Sequence, residues 1–153
     1  MVQYASIASL IATLALACAG PCSLAAQPVE QSMGNKITIR IRDKAFAATL
    51  SDNATATAFK KLLPLSVTMT ELNGNEKLFR LPGTMPAQAS TPSSIQIGDL
   101  MLYGARTLVL FYKSFPTTYS YTTIGRIDNP AGLEAAVGSG SVAVTFELRR
   151  EKR

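Results

Sequence analysis

Three features of this 153-residue chain predict a mainly β domain, closed as an eight-stranded antiparallel barrel with two short helices. KITIRIR near the N-terminal side and SVAVTFEL near the C-terminus alternate apolar and polar residues with a period of two, the pattern of half-buried strands. Further short runs of strand-forming residues lie between them, broken by Gly, Pro, Asn and Asp. Only two segments switch to helical spacing. A sheet of many short strands has edges to protect, and closure into a barrel removes them. The length suits one domain with a real core and is too short for two.

Residues 1 to 29 carry no Asp, Glu, Lys or Arg, and Ile7 to Ala19 form an apolar run closer to a signal h-region than to a bilayer span. With the small-x-small site Ser23-Leu24-Ala25, residues 1–25 are expected to be a signal peptide, the mature chain to begin at Ala26, and the protein to be exported, periplasmic or secreted. LALAC offers an alternative, a lipoprotein anchored at Cys18. Cleavage after Ala25 removes both cysteines, Cys18 and Cys22, and leaves a domain without thiol or disulfide chemistry. AQPVEQSMGN, residues 26–35, reads as a linker. Of the net charge of +5, the tail RREKR (149–153) supplies +3, so the core is only mildly basic. Such a tail is usually solvated. Nucleic acid is therefore not an expected partner, whereas weak contact of the tail with an anionic membrane surface or cell-wall polymer is. A monomer is expected.

The domain, residues 36–148, opens with Ile37, Ile39 and Ile41 facing one way and Lys36, Thr38, Arg40 and Arg42 the other. AFAATL makes a hairpin with it after Asp43-Lys44. Asp52-Asn53 is a cap pair for a helix from Ala54 to Leu63, with Phe59, Leu62 and Leu63 on one side and Pro64 as its stop. Strands follow at SVTMTEL (66–72), EKLFRL (76–81), DLMLY (99–103), TLVLFYK (107–113) and YTTIGRI (121–127). GTMPAQASTPSS (83–94) between them reads as a loop too polar to pack, either a flap or an exposed excursion. Asn129 as N-cap, Pro130 at the first helical position, the stripe Leu133, Ala136, Val137 and Gly138 at the end mark the second helix. Val142, Val144, Phe146 and Leu148 share one face of the last strand.

The order two strands, helix, five strands, helix, strand resembles the cyclophilin barrel. ELNGNEK (71–77), GDLMLYG (98–104), LVLFYKSF (108–115), YSYTTIGRI (119–127) and GSGSVAVTFE (138–147) closely resemble a family of small bacterial cyclophilin-like proteins, over Lys36 to Glu147. The resemblance implies the fold more directly than an activity. Cyclophilins are prolyl isomerases whose catalytic arginine lies in a Phe-His-Arg strand. This chain has no histidine, and FRLP (Phe79 to Pro82) is only a short echo of that motif.

Lacking histidine, the chain has neither the usual general base near neutral pH nor the commonest metal ligand. It shows no P-loop, dinucleotide fingerprint or EF-hand spacing. No cofactor or metal is expected. Glu71 and Glu76 flank the turn Leu72-Asn73-Gly74-Asn75. Such carboxylates either pair for acid/base work or, more often, are solvated or ion-paired, here to Lys77. Six of the ten aromatics beyond residue 25 fall between Tyr103 and Tyr121. Alternation sends Leu108, Leu110 and Tyr112 to one face and Val109, Phe111 and Lys113 to the other. It places Tyr119 with Tyr121, and Ile124 with Arg126 on the opposite face.

These rings either fill a small barrel that lacks Trp or line a groove for a peptide or small molecule, with Arg126 or Lys113 near the rim. Glu71, Asn73, Glu76, Tyr103, Phe111, Tyr112, Tyr119 and Tyr121 are the candidate ligand-binding residues. The reading is ligand binding without chemistry. The alternative is a peptidyl-prolyl cis-trans isomerase using a buried arginine donor, Arg126 or Arg80, which needs no proton shuttle.

Overall fold

The structure, a computed structural model, describes residues 34–149. The expected signal peptide, Cys18, Cys22, Ala26 and the tail beyond Arg149 lie outside the described residues. Strands β1 (Lys36–Ile41) and β2 (Lys44–Leu50) lead into helix α1 (Ala54–Lys60). There follow β3 (Leu65–Leu72), β4 (Glu76–Arg80), β5 (Ser94–Ile95), β6 (Asp99–Tyr103), β7 (Thr107–Phe111), β8 (Phe115–Pro116) and β9 (Thr122–Ile127), then helix α2 (Leu133–Val137) and β10 (Val142–Leu148). Eight of the strands close a barrel in the order β1-β10-β3-β4-β7-β6-β9-β2, every pair antiparallel, as the alternation predicts. The two-residue strands β5 and β8 pair with each other outside it. No helix among the described residues is long and apolar enough to cross a membrane.

The isoleucines of β1 pack in the barrel core with Val142, Val144 and Phe146 of β10, because those strands turn one parity inward. Phe59 of α1 meets Phe146 edge-on at 5.4 Å, and α2 adds Leu133, Ala136 and Val137 to the same core. Asn53 caps α1 by accepting from the Ala56 N–H at 2.8 Å. That helix ends earlier than its sequence pattern predicts. Beyond Lys60 the backbone tightens to i→i−3 bonds, Leu62 N–H to Phe59 O among them, and this rotates Leu62 out to solvent.

The second helix also starts later than predicted. Gly132, at φ 80°, is its N-cap, and Asn129 instead accepts from the Ala131 N–H in a local turn that precedes it.

Two further expectations are corrected. The ladder between β6 and β9 shifts register between Leu100↔Gly125 and Met101↔Thr123, leaving Ile124 as an extra residue. This bulge breaks the alternation, so Ile124 and Ile127 both enter the core while Arg126 points outward, and Ile124 and Arg126 do not share a face. At the same place Gly125 passes close to β2, where a Cβ would come within 2.5 Å of the Thr49 carbonyl oxygen.

The 83–94 segment is not too polar to pack. Met85 is buried in the core with its N–H on Ala105 O, Thr55 Oγ1 donates to Pro86 O, Gln88 N–H donates to Thr122 Oγ1, and Ser90 exchanges both backbone bonds with Tyr121. Backbone groups, together with the buried Met85 side chain, hold it down. It reaches β5, whose pairing with β8 lays a two-stranded strap over the barrel's outer wall.

Candidate functional site

Strands β6 and β7 are apolar on both faces. Leu100, Leu102, Leu108 and Leu110 fill the barrel, while Met101, Val109 and Phe111 face outward. The outward set forms a second small core with Ile95 from the strap and Tyr121, and Leu78 of β4 and Phe115 of β8 pack at its border. Phe111 sits at the centre, 5.4 Å from the Tyr121 ring centroid and 5.7 Å from that of Phe115.

This covering stops short of the β3–β4 turn. The uncovered wall is a cleft of about 270 Å³. Its floor is Leu78 and Val109, with Thr107 beside them, and Phe115 closes one side. Three tyrosines complete the lining, Tyr103 directly beside Thr107 in the β6–β7 ladder. Tyr103 lies 6.3 Å from Tyr119 and 5.7 Å from Tyr121. Tyr103 and Tyr119 are exposed, at 48% and 63%, whereas Tyr121 is buried by the second core.

The β3–β4 turn supplies the cleft's polar end. Asn73 and Gly74 both take positive φ, 57° and 70°, which lets three residues join the strands. Leu72 pairs with Glu76, and Glu71 pairs with Lys77. Side chains of neighbouring positions point to opposite faces, so Glu76 lines the cleft on the outside while Glu71 and Lys77 stay on the other side of the wall. The two glutamates therefore lie on opposite faces of the wall.

Lys77 is fully buried. It donates to the Glu71 carboxylate and to the carbonyl oxygens of Gly138 and Gly140 at 2.7 and 2.6 Å. Tyr112 donates to Glu71 Oε1 at 2.8 Å, and the Gly74 N–H donates to the same oxygen at 2.8 Å. Burial alone would raise the Glu71 carboxyl, but the Lys77 and Tyr112 hydrogen bonds and the lysine's charge outweigh it and hold the group below its ordinary value. Burial and the Glu71 carboxylate push the Tyr112 phenol up to about 12.

Glu76 is different. It is 8% exposed, and its side chain has no hydrogen bond or ion pair among the described residues. Burial first, and then the charge of Glu71, raise its carboxyl above the ordinary value. Burial and the nearby Glu76 likewise raise Tyr121. Asn75, also in the cleft lining, leaves its buried Oδ1 without a partner.

Of the residues singled out in sequence, Asn73, Glu76, Tyr103, Tyr119 and Tyr121 converge on the cleft. Phe111 lies beneath it, while Glu71 and Tyr112 lie behind the wall. Among the described residues no Lys or Arg lines it. Arg126 is held by the buried Asp99 at 2.6 Å, Lys113 pairs with Glu134 at 3.2 Å, and neither reaches the rim. Arg80 is exposed on the outer side of β4, in register with Thr107. Leu72, Asn75, Leu78, Thr107, Val109 and Phe115 were not singled out in sequence. Period-two parity with Glu76 points to Leu78, and parity with Phe111 points to Val109 and Thr107.

Residues 39–147 match the model of the cyclophilin-like family, and the chain belongs to that family. The solution structure of the hypothetical protein AF2241 from Archaeoglobus fulgidus has the same fold, with a TM-score of 0.59 at 19% identity, covering 79% of this chain and 99% of that one. No curated protein sequence matches the chain.

Proposed function

We propose that this member of the cyclophilin-like family binds a peptide or small molecule in the tyrosine-lined cleft outside β4, β7 and β6, without covalent chemistry. The observation that carries the reading is the pair of exposed tyrosines, Tyr103 and Tyr119, standing over an apolar floor that the strap leaves open. Rings needed only to stiffen the core would be covered, as Phe111 and Phe146 are. Aromatic walls with a few polar groups at one end suit a ligand with an apolar body.

The test is an NMR titration of the full chain with proline-containing peptides and a fragment collection. Binding is expected to shift the resonances of Tyr103, Tyr121 and Glu76, and Tyr119→Ala is expected to weaken it at least tenfold. Ligands that shift only residues elsewhere, or that bind Tyr119→Ala equally well, refute it.

Prolyl isomerisation is a second reading, favoured by Arg80. That residue lies on the same outer wall, opposite the cleft residue Thr107. A guanidinium donor to the prolyl nitrogen would lower a rotation barrier of about 18–20 kcal/mol. Arg126 is the poorer candidate because Asp99 holds its side chain outside the cleft. Exchange rates measured on a proline peptide separate the readings. Catalysis lost in Arg80→Ala and kept in Arg126→Ala supports isomerisation, and a rate equal to the uncatalysed background eliminates it.

A further inference from the structure

Resting on the binding reading above, we infer that the cleft selects ligands bearing an alkylammonium group, a positively charged nitrogen on a short apolar chain, with the Glu76 carboxylate as its counter-ion. Glu76 is more than nine-tenths buried as a residue and lines the cleft, where its carboxylate keeps its remaining solvent contact, and its side chain has no donor among the described residues. Other carboxylates of the domain are provided for, Glu71 by Lys77, Asp99 by Arg126 and Asp128 by Lys36. A carboxylate taken out of water is costly unless something pairs with it.

Among the described residues, no cation serves Glu76. Lys77 points to the other side of the wall, with its donors taken by Glu71, Gly138 and Gly140. Arg80 is four residues along the same strand, about 13 Å away at an ordinary strand rise. The counter-charge therefore comes from the ligand.

The rest of the lining agrees. Tyrosine faces attract a cation through the ring quadrupole, and Tyr103, Tyr119 and Tyr121 stand over the same space. An anion would find no Lys or Arg among the described lining residues and would face a carboxylate. At about 270 Å³ the cleft is smaller than a site for a drug-sized molecule and suits a group the size of one lysine side chain.

Binding a cation opposes the rise in the Glu76 carboxyl caused by burial and by Glu71. Affinity should then fall as pH drops through the Glu76 titration. The groups coupled to Glu76 from neighbouring segments are Glu71 on β3, Tyr112 after β7 and Tyr121 before β9, and both phenols stay protonated over that range.

The experiment is an NMR titration of the full chain with four probes: n-butylammonium, Nα-acetyl-lysine methylamide, 1-butanol, and the lysine amide acetylated on Nε. Both cations are expected to shift Glu76, Tyr103 and Tyr121, each at least tenfold more tightly than its neutral counterpart. Glu76→Gln should abolish that preference. A lysine amide at least tenfold tighter than butylammonium identifies a peptide side chain as the source, and equal affinity identifies a free amine.

Because the Glu76 side chain has no partner to lose, Glu76→Gln is expected to fold. Tyr119→Ala, at an exposed position, serves as a second variant that should weaken every probe irrespective of charge. Neutral probes binding as tightly as cations, or a cation preference that survives in Glu76→Gln, overturns the inference while leaving the binding reading intact. Silence of the cleft resonances to all four probes and to the peptide and fragment collection overturns both.

Discussion

Replacing Lys77 by methionine keeps most of the apolar stem and volume of the side chain but removes a fully buried ammonium with three acceptors, the Glu71 carboxylate and the carbonyls of Gly138 and Gly140. Removing one partner of a buried ion pair typically costs about 3–5 kcal/mol, chiefly because the other charge is left behind. Here Glu71 retains donors from Tyr112 and the Gly74 N–H, and its side chain is 25% exposed. Gly140 is at the surface and can be hydrated. The expected loss is therefore at the lower end, about 3 kcal/mol.

In urea, where a small domain has a slope of about 1–3 kcal/mol/M, that loss moves the unfolding midpoint by on the order of 1–3 M without changing the slope. A loss below about 1 kcal/mol would refute the view that this lysine ties the β3–β4 hairpin to the α2–β10 connection.

The pH dependence tests the same contact independently. Glu71 is depressed in the folded state, so it contributes stability above its ordinary carboxylate value, and that contribution disappears as pH falls towards its folded value. Without Lys77 the depression weakens and the acid limb of the stability curve becomes shallower. Superimposable acid limbs for wild type and Lys77→Met would contradict the assignment.

Glu76 works in the opposite direction. Its carboxyl is raised in the folded state, so ionising it costs stability as pH rises, and Glu76→Gln should raise the denaturation midpoint at pH 7, with the gain vanishing below the carboxylate range. A midpoint lowered at neutral pH would mean that Glu76 has a partner. Gly125→Ala should destabilise by about 1–3 kcal/mol, since a Cβ 2.5 Å from the Thr49 carbonyl forces the backbone to shift at the bulge, and thermal unfolding measures this. Tyr119→Phe should leave stability within about 0.5 kcal/mol, because the ring is 63% exposed. A larger loss by chemical denaturation would return that ring to the core.

The barrel was legible because period-two alternation is a local property, and β1 and β10 carry it without interruption. What the alternation could not show was the insertion of Ile124, which becomes visible only when β9 is laid against β6. Arg126 was misplaced for that reason, since parity counted across a bulge comes out inverted. Tyr112 is another case. Parity in LVLFYK already places it opposite Phe111, so the two could not both face an outer groove. Grouping them by ring type overrode the stronger geometric signal. Glu71 and Glu76 were legible as neighbours of one turn, but the register that separates them, Leu72↔Glu76 and Glu71↔Lys77, depends on a three-residue loop whose length composition does not determine.

The position of the cleft follows from a feature that was present in the sequence and read too narrowly. DLMLY and TLVLF are apolar at successive positions, so an antiparallel barrel built from them must bury side chains outside as well as inside. Some other segment has to cover that outer face. The 83–94 loop was judged by its polar side chains, yet its backbone is what docks, through Met85, Ser90 and the β5–β8 pairing. A two-stranded strap is too short to cover the whole wall. It protects Met101, Val109 and Phe111, and the wall at Leu78 stays open beside the β3–β4 turn, where Glu76 ends up with apolar neighbours and, among the described residues, no cation. The unpaired carboxylate and the open tyrosines are thus consequences of one mismatch, an outer wall apolar over a greater length than its strap covers. Lengthening the strap to cover Leu78 would bury Glu76 completely, and so would have to supply it with a donor.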